Sequence, residues 1–136
     1  MVTDPVTSPK SMNGKIIYGI GIGCLDGEVV IIDEDYIRRS VVREIPNEFA
    51  EDSIYQYIEG ELGLNIGFAS KEFIGEPADA LDIEFLKLKP EEYTITVRSQ
   101  VFLKDATFFQ YTISHHRIDR FRFQEFAPRH NRFINQ

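Results

Sequence analysis

The stretch "YGIGIGCLDGEVVIID", residues 18–33, sets Gly19, Gly21 and Gly23 at alternate positions and then turns at Asp26-Gly27. A dinucleotide-binding loop needs G-x-G-x-x-G behind a strand and opening a helix. Here the spacing is G-x-G-x-G, position 24 is a cysteine, and strand formers follow the turn. A period of two is the period of a strand, and it puts all three glycines on one face. Asp-Gly between two such runs signals a β-hairpin. The stretch therefore predicts antiparallel sheet with one bare face, not a nucleotide fold.

The register of that hairpin decides what lies beside the glycines. A three-residue loop with Gly27 in the left-handed conformation sets Cys24 opposite Glu28, and the glycines share a face with Val29, Ile31 and Asp33. This is the expected arrangement. A two-residue loop would shift the pairing by one and take Asp33 off the glycine face.

The rest of the chain extends the sheet. "SIYQYIEGELGL" spaces Ile54, Tyr57, Ile58 and Leu62 as a helix, with Asp52 or Ser53 as its cap and Gly63 as its stop. A strand is expected around residues 66–74, then a short helix in "ADALDIEFLKL" with Leu81, Phe85 and Leu88 on one side. Residues 93–104 alternate as a long strand, and Asp105-Ala106 turns the chain into another from Phe108 to Arg117. "DRFRFQEF" reads as a closing alternating run with its arginines outward. Neighbouring strands with helices inserted between them give an α+β fold on an antiparallel sheet.

Composition bounds the function. The 136 residues make one domain, and 43% hydrophobic with 12% aromatic residues is globular. A net charge of −7 disfavours nucleic acid and anionic membrane as direct partners. A single Cys24 excludes an internal disulfide and fits a reducing compartment. No apolar run approaches the ~20 residues of a membrane span and no signal peptide is visible, so a cytoplasmic location is expected. Residues 1–14, polar and with two prolines, are expected to be a disordered linker or frayed end, leaving 15–136 as the domain.

Site chemistry is sparse. In "FQYTISHHR", Gln110, Thr112, Ser114 and His116 point one way, while Tyr111, Ile113, His115 and Arg117 point the other. Such a polar face either meets solvent or lines a polar cavity. Adjacent His115 and His116 face opposite sides and cannot share an ion, so no metal site is expected. No nucleophile elbow surrounds a serine and Cys24 has no local partner, so neither a catalytic residue nor a cofactor is expected.

Three stretches carry a resemblance: "LDGEVVIIDEDYI", "SIYQYIEGELGLNI" and "VFLKDATFFQYTISHHRIDRFRFQEFAPR". In order and without large gaps, over about residues 16–129, they resemble the UTRA domain, the effector-sensing half of GntR-type regulators of the HutC branch. Within that branch the likeness is greatest to repressors of trehalose operons. The resemblance implies a chorismate-lyase-like fold, a homodimer, and a pocket for a small sugar or sugar phosphate such as trehalose 6-phosphate. It also implies control of operator DNA through a separate winged helix-turn-helix domain, which residues 1–15 do not match.

By position, the resemblance assigns the pocket to Asp33 at the hairpin end, Ser53 and Tyr55 at the helix start, and Gln110 and His116 on the polar strand face. A helix N-terminus presents free N–H groups, which suits an anion near Ser53. The family's phosphate-gripping R-x-R pair falls at Gly21 and Gly23. Arg98 is expected to supply a replacement cation, with Arg38 or Arg39, because strand positions near it border the same face. A module of this kind that dimerises without ligand, or a chorismate-lyase-like enzyme, are the alternatives.

Overall fold

The computed structural model describes residues 15–46 and 54–127. Five strands form one antiparallel sheet: β1 (Ile16–Leu25), β2 (Glu28–Arg38), β3 (Ile66–Pro77), β4 (Tyr93–Leu103) and β5 (Phe108–Arg117), in the order β1-β2-β5-β4-β3. Two short helices, α1 (Ile54–Gln56) and α2 (Ala80–Phe85), pack on opposite faces, and a π turn, Tyr57–Glu61, prolongs α1. The expected α+β antiparallel architecture is the one observed.

The hairpin closes differently from expectation. Asp26 and Gly27 both take positive φ, 53° and 81°, and Leu25 pairs with Glu28, so the turn has two central residues rather than three. Two consecutive positive φ values suit the right-handed twist of a hairpin. A bulge then intervenes: Cys24 faces Val29 but Gly23 faces Ile31, which leaves Val30 as the extra residue. The bulge adds a second one-residue slip to the one the tighter turn introduced, which returns the glycines to the expected face with their partners two residues further along β2. Gly21 pairs with Asp33 and Gly19 with Asp35, so the glycines keep an acidic neighbour by another route.

Each sheet face has its own core. The α1 face buries Ile37, Val42, Ile58, Val101, Leu103 and Phe109. The α2 face buries Ile32 against Leu86 and Leu88. Helix α2 is held by a reciprocal cap: Asp79 Oδ1 accepts from the Asp82 N–H at 3.0 Å, and Asp82 Oδ2 accepts from the Asp79 N–H at 2.8 Å. Gly63, at φ 67°, ends the π turn as expected of a helix stop.

The run after β5 is not a strand. Ile118–Arg120 form one 3-10 turn, and residues 121–127 have no ladder partner. The topology explains this: β5 already lies between β2 and β4, so no free edge is next to it. The segment crosses the α1 face instead, with Phe121 and Phe123 at 6.3 and 5.0 Å from the Phe73 ring. Residues 1–14, expected as a linker, lie outside the described residues.

Candidate functional site

Ladder partners share a face, so the register reads out the surface beneath α1 directly. One row runs Gly19, Asp35, Thr112, Ser99, Lys71 from edge to edge. The next runs Gly21, Asp33, Ser114, Val97, Phe73, and the third Gly23, Ile31, His116, Ile95, Gly75. The expected polar face of β5 is therefore the face that carries the glycines.

Hydrogen bonds tie this floor together. The Tyr55 hydroxyl donates to Gln110 Oε1 at 2.8 Å, and Gln110 Nε2 donates to Asp35 Oδ1 at 3.0 Å. Gln110 is buried, and its two partners fix which way its amide points. The Ser114 hydroxyl donates to Asp33 Oδ1. Burial, and then the nearby charge of Asp33, raise the Asp35 carboxyl to about 6, against the lowering effect of the Gln110 bond. His116 stacks edge-on against Phe121, centroids 5.1 Å apart, and burial lowers its pKa so that the neutral ring is favoured near pH 7.

The glycine side of this floor is open. A Cβ built on Gly19 or Gly21 would meet nothing within 4 Å, and one on Gly23 only Ile31 at 3.6 Å. Tyr55 stands at one end of the floor and the His116–Phe121 pair at the other. Between them are two carboxylates, two hydroxyls on β5 and bare backbone, which suits a ligand rich in hydrogen-bond donors.

Four of the expected site residues are thus on one face: Asp33, Tyr55, Gln110 and His116. Ser53 lies outside the described residues. Arg98 stands on the other face, opposite Ile113, and pairs with Glu76 at 3.1 Å. Its parity explains this: Arg98 alternates with Val97 and Ser99, which point to the glycine side. Arg38 and Arg39 are also engaged, with the Phe108 and Arg43 carbonyls. Asp35 and Phe121 join the site although neither was expected there. For Asp35 the signal was present, since "IIDEDY" places it two residues beyond Asp33.

The α2 face holds a second polar constellation. The buried His115 ring bonds Glu34 Oε2 through Nε2 at 2.6 Å and Asp82 Oδ1 through Nδ1 at 2.9 Å. Burial opposes charge on this ring, but the Glu34 bond and the charges of Asp82, Asp79 and Glu34 outweigh it and raise its pKa. A carboxyl oxygen against each ring nitrogen favours the imidazolium form, in which both nitrogens donate. Glu34 also accepts from the Tyr18 and Tyr36 hydroxyls at 3.2 and 3.1 Å. Asp79 adjoins the group, and its Oδ1 is taken up by the α2 cap.

The UTRA domain family model matches residues 13–122. The regulator TreR of Bacillus subtilis (strain 168) is 50% identical over 105 residues, 77% of this chain and 44% of that protein. GmuR of the same organism is 26% identical over 121 residues, 88% of this chain and 51% of that protein. The chain thus spans about half the length of the curated relatives it matches. Among solved structures, the effector-binding domain of the B. subtilis trehalose repressor superposes with a TM-score of 0.74 at 47% identity, covering 85% of this chain and 81% of that one. A GntR-family regulator from Bacillus cereus, 22% identical, has the same fold at a TM-score of 0.78, covering 83% of this chain and 79% of that one. The chain belongs to the UTRA domain family.

Proposed function

We propose that this chain is the effector-sensing part of a transcriptional regulator, similar to the trehalose repressor, and that the floor beneath α1 binds a small sugar or sugar phosphate. The observation that carries the reading is the linked set Tyr55–Gln110–Asp35 with Ser114–Asp33, beside backbone at Gly19 and Gly21 where a Cβ would meet none of the described residues within 4 Å. Sugar recognition needs oriented donors and acceptors around a space the ring can enter, and this face supplies both. The relatives are transcriptional regulators, and the reading is non-enzymatic. Operator DNA would be held by a separate DNA-binding domain and not by this acidic chain.

Assembly as a homodimer belongs to the same reading. Among the described residues strands β1 and β3 are the sheet edges, and β1 exposes Tyr18, Ile20 and Ile22. Open edges with apolar side chains favour pairing. The described residues include no helix long and apolar enough to cross a membrane, and the reading places the regulator in the cytoplasm, where its operator is. The test is a thermal-shift panel of neutral sugars and sugar phosphates on this chain, run beside light scattering. A rise in melting temperature for one compound class and a mass of twice 15.7 kDa support the reading. A chain that no member of the panel stabilises contradicts it.

A further inference from the structure

We infer that this site takes an uncharged, hydroxyl-rich ligand, with hydroxyls donating to Asp33 and Asp35, and that it discriminates against a phosphate at its glycine end. The inference rests on the effector-site reading above and names the ligand class.

The charge arrangement carries it. Among the described residues, Asp33 and Asp35 each receive one neutral donor, the Ser114 hydroxyl and the Gln110 amide. Neither carboxylate is ion-paired within the described residues. The row through Asp35 meets its one lysine, Lys71, at the far edge of the sheet, three strands away and so about 14 Å. The row through Asp33 holds no cation at all. Arg98, two strands from Asp33, faces the opposite side and is paired with Glu76, and in the segment that crosses the α1 face Arg120 is paired with Glu28 and Arg122 bonds Gln124. The raised pKa of Asp35, caused first by burial and then by the charge of Asp33, fits the same picture.

A carboxylate is an acceptor only, so it rewards a ligand hydroxyl and repels a phosphate oxygen. Two negative groups within about 6 Å of a phosphate dianion in a partly solvated site lower its affinity by about tenfold or more. The open glycine backbone lets a pyranose ring approach the sheet face where a side chain would otherwise stand.

Calorimetric titration of this chain with trehalose and with trehalose 6-phosphate tests the inference, together with the same pair on D33N. The neutral sugar should bind about tenfold tighter or better, and D33N should narrow that gap by weakening the neutral sugar and strengthening the phosphate form. Equal or tighter binding of trehalose 6-phosphate by the unmodified chain overturns the inference and leaves the sensor reading intact. A D33N variant with the same ratio as the parent also overturns it, because the discrimination would then not come from the carboxylate. Binding of neither compound, nor of any neutral or phosphorylated sugar in the thermal-shift panel, overturns the sensor reading and the inference together.

Discussion

Gln110 Nε2 donates to Asp35 Oδ1 at 3.0 Å while Gln110 Oε1 accepts from Tyr55, so one buried amide joins the sheet floor to the helix above it. The Asp35 carboxyl titrates near 6 in the free protein. Ligand hydroxyls donating to its ionised form would lower that value in the complex. Affinity should therefore rise from about pH 5 to pH 7 by up to a decade per unit and then level off. Calorimetry in buffers of different ionisation enthalpy should show proton release near pH 5.5. An affinity that is flat or falls over this range contradicts the role given to Asp35.

Replacing Gln110 with leucine keeps the volume and removes both bonds. It leaves the Tyr55 hydroxyl and Asp35 without their shared partner, a cost of about 1–3 kcal/mol in a half-buried setting. Urea denaturation should show that loss, and sugar-induced thermal stabilisation should fall with it. A variant as stable as the parent and unchanged in sugar response contradicts the bridging role.

Arginine at Gly21 and Gly23 should fold normally, because an added Cβ meets open space at the first and ordinary contact at the second. The pair places two cations beside Asp33 and Ile31. Each charge-assisted bond to a phosphate contributes roughly 1.5–3 kcal/mol, so the double variant should gain two decades or more for trehalose 6-phosphate. Titration of the double variant with the phosphorylated sugar is the check, and an unchanged affinity would count against the glycine face as the ligand side. Gly67 offers the contrast: a Cβ there would stand 2.7 Å from the Lys104 Cα, so Gly67→Ala should destabilise the fold measurably by urea denaturation.

His115→Gln removes the cation from between Glu34 and Asp82, with a loss of about 3–5 kcal/mol at pH 6. The sign of the pH dependence follows from the raised pKa of His115. Its contribution is complete below the unfolded value of about 6.5 and disappears as pH rises through the folded value. The parent should lose stability above neutral pH through this group, and the variant should lack that slope. Denaturation curves at several pH values between about 6 and 9 decide it, and parallel profiles for both proteins contradict an imidazolium at this position.

The sheet and its polar face were legible because alternation survives into structure: Phe108–Arg117 is a strand with the expected bounds, and Gln110 and His116 share the side of Asp33. The hairpin shows the limit. Asp-Gly announces the turn, but a bulge at Val30 has no sequence mark, and turn and bulge together keep the expected face while shifting the pairing by two residues. The phenylalanines after β5 alternate like a strand yet have no edge to join, since strand order is a long-range property. Arg98 was expected on the site because strand positions near it border that face, whereas its own parity turns it away. The Glu34–His115–Asp82 group was invisible for a similar reason, because three separate elements bring it together.

The central claim is that the glycine face of the sheet is the ligand side. A titration followed by backbone-amide NMR, with trehalose added to the isotope-labelled chain, tests it most directly. The account predicts shifts at Gly19, Gly21, Asp33, Asp35, Gln110, Ser114 and His116, with the Tyr55 amide moving alongside them. Shifts confined to α2 and to the Tyr18, Tyr36 and Arg98 side of the sheet would contradict it.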